Sequence, residues 1–294
     1  MSEVSINRRR FLTRAATCLA GVGVFHDGLL HTASSVPTEL PNADLHVHLS
    51  NEITFERLLE LSRKGGFRVG VVEHPGPRYS RMTDDLSLNA YLDRLEQCGF
   101  YKGLQPVDPG WRRLFGKQAL ARLDYVLMDA LEIPDGKGGY SILWRDDFKV
   151  DDEDGFMDRY VAFYLRILEE EKPDVLASPS FLPKCVRERY DELWTDARVE
   201  RVIRAAVKNN VALEINSMYK IPSRRFVARA KQMGARFSFG TNGRTSDVVG
   251  VLDYSFETAR QCQLTASDIF IPVSRKAEDK RTRTGRAAFA RPRS

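Results

Sequence analysis

The chain has 294 residues, of which 43% are apolar, and a formal net charge of +5. That length suits one α/β barrel, and the apolar share supplies a sizeable core without reaching the level of a membrane protein. The charge sits at the ends: residues 275–294 carry eight Lys/Arg against two acids, residues 1–40 carry four arginines against three acids, and the body between them is slightly acidic. A basic balance confined to the ends does not make the body a nucleic-acid binder, and no nucleic-acid partner is expected.

Residues 1–40 read as an address and a linker. Arg8 and Arg9 precede Phe11 and Leu12, and a weakly apolar run follows from Ala15 to Phe25. This resembles a twin-arginine export signal, which implies an exported, periplasmic or extracytoplasmic protein. The apolar run is too short to span a bilayer, so no integral membrane span is expected once the signal is removed. Cys18, Cys98, Cys185 and Cys262 form no C-x-x-C pair, which argues against a zinc knuckle, a redox motif or a disulfide framework.

From residue 41 to 273 short apolar runs alternate with helical patterns. Strands are expected at 43–48, 68–73, 101–106, 124–128, 174–177, 212–216 and 236–240. Helices are expected from a Thr54 cap to Gly65-Gly66, from Ser87 to Gly99, from about 152 to Pro173, from Thr195 or Asp196, and from Ser223 to Gly234. Repeated strand–helix units imply a parallel sheet with helices outside, and seven strands approach a barrel count. The expected fold is therefore α/β, a distorted seven-stranded βα barrel of TIM-like type. The longest irregular stretch, about 132–150, follows a strand's C-terminal end and is a candidate lid. Residues 274–294 read as a basic, disordered tail.

The body keeps three of the five histidines, and all three end predicted strands. His46 and His48 close the first strand at period-two spacing, which points both side chains to one face. His74 closes the next strand, about 4.8 Å away in a parallel sheet. Imidazoles in that arrangement suit zinc, manganese or iron, with carboxylates completing the coordination.

The stretch "DLHVHLSNEITFERLLELSRKGGFRVGVVEHPG" resembles the opening of the PHP (polymerase and histidinol phosphatase) family, which begins D-x-H-x-H and brings a third histidine at its second strand. A weaker likeness runs through "GLQP", "DYVLMDALE", "DVLASPS", "ALEIN" and "FSFGTNGRTSDVVG". The resemblance implies a distorted seven-stranded barrel carrying up to three metals that hydrolyse phosphate esters. The amidohydrolases share the H-x-H opening, but their later metal histidines are missing here.

The later motifs depart from the family pattern. Gln105 stands where it has a glutamate, 129–131 lack its histidine, Ser178-Pro179 replace His-Pro, and Asn242 and Arg244 fall within its S-D-A-H. An arginine cannot ligate a metal, but it can hold an anion. Two expectations follow. The first is a metal-dependent, phosphoesterase-like hydrolase with a reduced site: His46, His48, His74 and Glu214 on a divalent metal, Asp129 or Glu132 as general base, and Arg244 on a small anionic substrate. Asp108 is another candidate carboxylate, and Asp44 is expected to orient a ligand or a neighbouring backbone. The second is a degenerate barrel that binds an anionic small molecule or partner without catalysis.

Overall fold

In a computed structural model, residues 39–135 and 137–273 are described; the segment read as an export signal and the basic tail lie outside them. The elements run β1 (Ala43–Val47), α1 (Phe55–Gly65), β2 (Arg68–Val71), α2 (Asp85–Cys98), β3 (Tyr101–Leu104), α3 (Lys117–Leu120), β4 (Tyr125–Met128), β5 (Glu132–Pro134), β6 (Tyr140–Ile142) and α4 (Glu153–Arg166). They continue with β7 (Val175–Leu176), α5 (Tyr190–Leu193), α6 (Asp196–Lys208), β8 (Ala212–Asn216), α7 (Arg224–Gln232), β9 (Phe237–Gly240) and α8 (Asp253–Gln261). Among the described residues, no helix is long and apolar enough to cross a membrane.

Seven parallel strands pair in the order β1-β2-β3-β4-β7-β8-β9. The sheet then nearly closes on itself just past β9. There the His48 N–H donates to the Gly243 carbonyl at 2.9 Å and the Gly243 N–H donates to the His46 carbonyl at 3.1 Å. This is the expected seven-stranded TIM-like barrel, with every expected strand present. The helix signals acted where their chemistry is plain. Thr54, Thr195 and Ser223 accept from the N–H groups of Arg57, Arg198 and Phe226, and Gly66 ends α1 in the left-handed region at φ 63°. The second helix starts earlier than Ser87, because Asp84 and Ser87 form a capping box and Ser87 is its third residue. Helix α8 has Leu252 at its N-cap and no side-chain cap, so no start signal marks it in the sequence.

The barrel interior is filled in layers. Ala43, Leu45, Val72, Tyr125, Leu127, Val175 and Ala212 pack together at its base. Tyr125 spans this layer and donates its hydroxyl to the Leu45 carbonyl at 2.6 Å. Glycines on β2 and β3 make room for it: a Cβ on Gly70 or Gly103 would run into the Tyr125 ring or hydroxyl. Above this plug the inward positions turn polar.

The phase of β1 explains how Leu45 and His46 both face inward. The β1–β2 register shifts between Asp44 and Val47, so β1 holds an extra residue there. The Asp44 carboxylate takes up the His46 N–H at 3.2 Å and also accepts from the Thr241 and Gly250 N–H groups and the Thr241 hydroxyl. Asp44 orients backbone, as expected of it.

The stretch 132–150, expected to be irregular, holds the antiparallel hairpin β5–β6, with Glu132 opposite Ile142. Arg78 pins it from the β2–α2 connection. Its guanidinium pairs with Asp108 at 2.7 Å and with Glu132, and lies 3.6 Å from the centroid of the Tyr140 ring.

The Gly103→Ala substitution is expected to destabilise the fold by about 1–3 kcal/mol, because the added methyl overpacks a filled layer. Urea unfolding of the variant checks this, and stability within about 0.5 kcal/mol of the parent would show that the plug tolerates it.

Candidate functional site

The C-terminal ends of β1, β3, β4 and β8 bring His46, Gln105, Asp129 and Glu214 into one hydrogen-bonded chain. The His46 Nδ1 meets the Glu214 Oε1 at 2.7 Å, and its Nε2 meets the Gln105 Oε1 at 3.1 Å. The Gln105 amide nitrogen donates to the Asp129 Oδ2 at 2.7 Å, which sets the direction of that amide. The other Asp129 oxygen accepts the Leu131 N–H at 3.0 Å. Glu214 also accepts the Ser178 N–H at 2.7 Å and the Asn216 amide at 3.1 Å. Gly240 leaves the space for this meeting, since a Cβ there would collide with both Glu214 and His46.

Both ring nitrogens of His46 therefore face acceptors. A neutral imidazole has one N–H and would set its lone pair against an oxygen, so the arrangement calls for the imidazolium. Burial pushes the His46 pKa down, but the Glu214 carboxylate overrides it and the net shift is upward. Burial likewise pushes Glu214 up, and the His46 charge brings it below its ordinary value.

His48 and His74 differ from His46. His48 is buried, and neither of its nitrogens meets a partner at full hydrogen-bond geometry among the described residues. Burial, then the charges of Arg244, His46 and His74, holds its pKa well below the usual value, although Asn242 beside it opposes the shift. His74 donates Nδ1–H to the Gln105 carbonyl at 2.9 Å, which fixes its tautomer and leaves Nε2 free. Burial lowers its pKa to about 4. The rings of His48 and His74 stack with centroids 4.9 Å apart, while those of His46 and His48 are 5.3 Å apart and tilted.

A cavity of about 480 Å³ opens over this layer, lined by His74, Gln105, Asp129, Glu132, Asn242 and Arg244, and by three aromatic residues, Tyr79, Trp144 and Tyr219. Asp129 is raised above the ordinary carboxylate range, first by burial. Glu132 is 6% exposed and is held by the Arg78 guanidinium and the Tyr79 hydroxyl. Asp108 sits on the rim, accepting from Arg78 and, at 2.6 Å, from the Tyr140 hydroxyl. Among the described residues, Arg244 is the one cation lining this cavity. Burial lowers its pKa, Glu73, Tyr219 and Asp129 oppose that, and no carboxylate closes on it as an ion pair among the described residues.

The structure thus brings together every residue expected at the site, but in two groups. Glu214 pairs with His46 below; His48 and His74 stand above. The donors do not fit the expected metal set. His46 has no lone pair to offer while Glu214 and Gln105 hold it, and among the described residues no group of three or more His, Cys, Asp or Glu is placed to hold a metal ion. Tyr79, Trp144 and Tyr219 were not expected. Trp144 lies in the stretch read as a lid, and Tyr219 follows the end of β8, where barrel sites gather.

No family model and no curated protein matches the chain. Among solved structures, the chain is similar to a β-mannanase from Streptomyces thermolilacinus at 16% identity, covering 72% of each chain with a TM-score of 0.37. A mannanase catalytic domain from Streptomyces sp. SirexAA-E gives 16% identity, 70% of this chain, 67% of that one and a TM-score of 0.37. An HpcH/HpaI aldolase from Desulfitobacterium hafniense DCB-2 gives 13% identity, 75% of this chain, 93% of that one and a TM-score of 0.33. Likenesses this distant carry no argument about activity.

The buried pair has a defined pH window. His46 is raised above 6.5, so its contribution is complete below that value and is lost as pH rises through the raised pKa. Glu214 is lowered below 4.5, so its contribution is complete above that value and is lost as pH falls. Glu214→Gln is expected to cost about 3–5 kcal/mol near pH 5 to 6, because it leaves a buried charge unpaired, and less at alkaline pH, where His46 is neutral in either protein. Urea unfolding of both proteins across that range tests this, and a stability difference independent of pH would rule out the imidazolium.

Proposed function

We propose that the chain is a divergent barrel of the PHP type whose mouth binds a small anionic molecule through a phosphate or carboxylate group. The PHP reading rests on the D-x-H-x-H opening and on His74, which the fold gathers with His46 and His48 at the C-terminal ends of adjacent strands. The observation that carries the binding proposal is Arg244, a cation that lines a cavity of about 480 Å³ and has no ion pair among the described residues. A guanidinium in that position supplies a fork of donors matched to an oxyanion. The amide of Asn242 stands beside it on the same connection, donating to the Tyr219 hydroxyl at 3.3 Å. The nearby carboxylates are already answered, Glu132 by Arg78 and Tyr79, and Asp129 by Gln105 and the Leu131 N–H.

A second reading, the metal-dependent hydrolase with a reduced site, is favoured by one observation. His48 keeps two buried nitrogens that meet no partner at full hydrogen-bond geometry among the described residues, stacked on a His74 whose Nε2 is free. Such a pair could contribute two ligands to a zinc, manganese or iron ion, with His46 excluded from it.

Calorimetric titration with inorganic phosphate, and with acetate as the carboxylate probe, separates the two. Binding of at least one probe is expected, weakened roughly ten- to a hundredfold by Arg244→Ala, the loss of one charged hydrogen-bonding group. Absence of binding by the parent protein, or unchanged binding by the variant, would overturn the first reading. Stoichiometric uptake of zinc, manganese or iron that is abolished by His48→Ala would establish the second in its place.

A further inference from the structure

A second cavity, of about 450 Å³, lies beside the barrel mouth, and Tyr219 lines both. Its volume falls within the roughly 300–1,000 Å³ usual for small-molecule sites. Its floor is aromatic: the Phe181 and Tyr219 rings meet edge to face with centroids 5.0 Å apart, and Tyr254 and Ile221 extend the surface. Met218 stands on the lining at 51% exposure, an apolar side chain left open to water.

The charge of this cavity is one-sided. Arg187, Lys220 and Arg224 line it, all exposed, and no acidic residue among the described residues does. None of the three joins an ion pair among the described residues, whereas Arg189, Arg225 and Arg229 nearby in the chain do. Arg187 lies 6.0 Å from the centroid of the Phe181 ring, so one cation is held at the edge of the aromatic floor. Three unanswered positive charges around an apolar floor leave both surfaces without a complement.

We propose that this cavity is a binding site for a flat apolar ring that carries a carboxylate. The ring lies on Phe181 and Tyr219 in place of water, with Met218 over its edge. The carboxylate reaches the Arg187, Lys220 and Arg224 rim, where charge-assisted hydrogen bonds fix its direction. The site does not depend on Arg244 or on what the barrel mouth holds. It meets the mouth only at Tyr219, whose ring forms the floor here and whose hydroxyl accepts from Asn242 on the other side.

The test uses the full chain, with 1-naphthoate as the probe and 1-naphthalenemethanol as its uncharged counterpart, both followed by calorimetry. Naphthoate is expected to bind at least about tenfold more tightly than the alcohol, the effect of one well-placed charged contact. The double variant Lys220→Glu, Arg224→Glu should remove that preference, as should the single Arg187→Glu, and Met218→Asp should weaken both probes. These positions are exposed, so circular dichroism is expected to show an intact fold. The Arg244→Ala variant should bind naphthoate within about twofold of the parent, which separates this site from the oxyanion site of the mouth. No binding of naphthoate, equal binding of the alcohol, or a preference that survives both charge reversals would overturn the proposal. So would loss of naphthoate binding in Arg244→Ala alone, which would move the probe into the mouth.

Discussion

A histidine held between a carboxylate and an amide carbonyl at the centre of the barrel is the constraint on which the mouth depends. His46 and Glu214 are 1% and 0% exposed, so neither charge is stabilised by water. Burying such a pair is unfavourable unless the remaining donors and acceptors are also met. Here they are: Ser178 and Asn216 donate to Glu214, and Gln105 takes the second His46 N–H and donates an amide N–H of its own to Asp129. Gly240 is part of the same solution, since any side chain there would occupy the space in which the pair meets. The network ties β1, β3, β4 and β8 together above the Tyr125 plug, so the site's polar floor is also a structural element of the barrel.

That floor sets the chemistry above it. A fixed positive charge at His46, with Arg244 across the cavity, helps to keep His48 and His74 neutral. Neutral imidazoles present one donor and one acceptor each, and His74 has already committed its donor to the Gln105 carbonyl. The mouth is therefore lined by the weakly basic His74, by aromatic rings and by a guanidinium that has no ion pair among the described residues. This composition suits recognition of an oxyanion with a polar body, whereas the neighbouring cavity, with three cations over an aromatic floor, suits a different shape and a different balance of apolar area to charge.

Much of the barrel was legible from the sequence because it rests on short-range signals. Short apolar runs located all seven strands, and hydroxyl or carboxylate caps located five helices, three of them closed by a following glycine. What was not legible depends on partners distant in the chain. The bulge in β1 is held by Asp44 reaching Thr241 and Gly250 some two hundred residues away, so the inward placement of both Leu45 and His46 leaves no local mark. The β5–β6 hairpin has little apolar alternation and is held by Arg78, Asp108 and Tyr140 around it. At the site, the three histidines were found by position, but the division between His46 and the other two was not. It is decided by Gln105 and Glu214, each read as a departure or a candidate ligand and neither as a partner for His46.

Gln105 shows why a residue's type and its partner must be read together. Where the resembled family has a glutamate, a carboxylate would face the His46 Nε2 well enough but would offer Asp129 a second negative charge instead of a donor. An amide answers both neighbours at once, with its oxygen toward the imidazolium and its nitrogen toward the carboxylate. The other departures act in the same direction. Ser178, at φ 44°, turns its N–H onto Glu214, and Asn242, at φ 50°, turns its amide to Tyr219. Gln105, Ser178 and Asn242 each complete a hydrogen bond to a polar group of the barrel end. The histidines of the H-x-H pair consequently serve separate ends: His46 is bound into the wall of the barrel by Glu214 and Gln105, and His48 is buried with its ring stacked on that of His74.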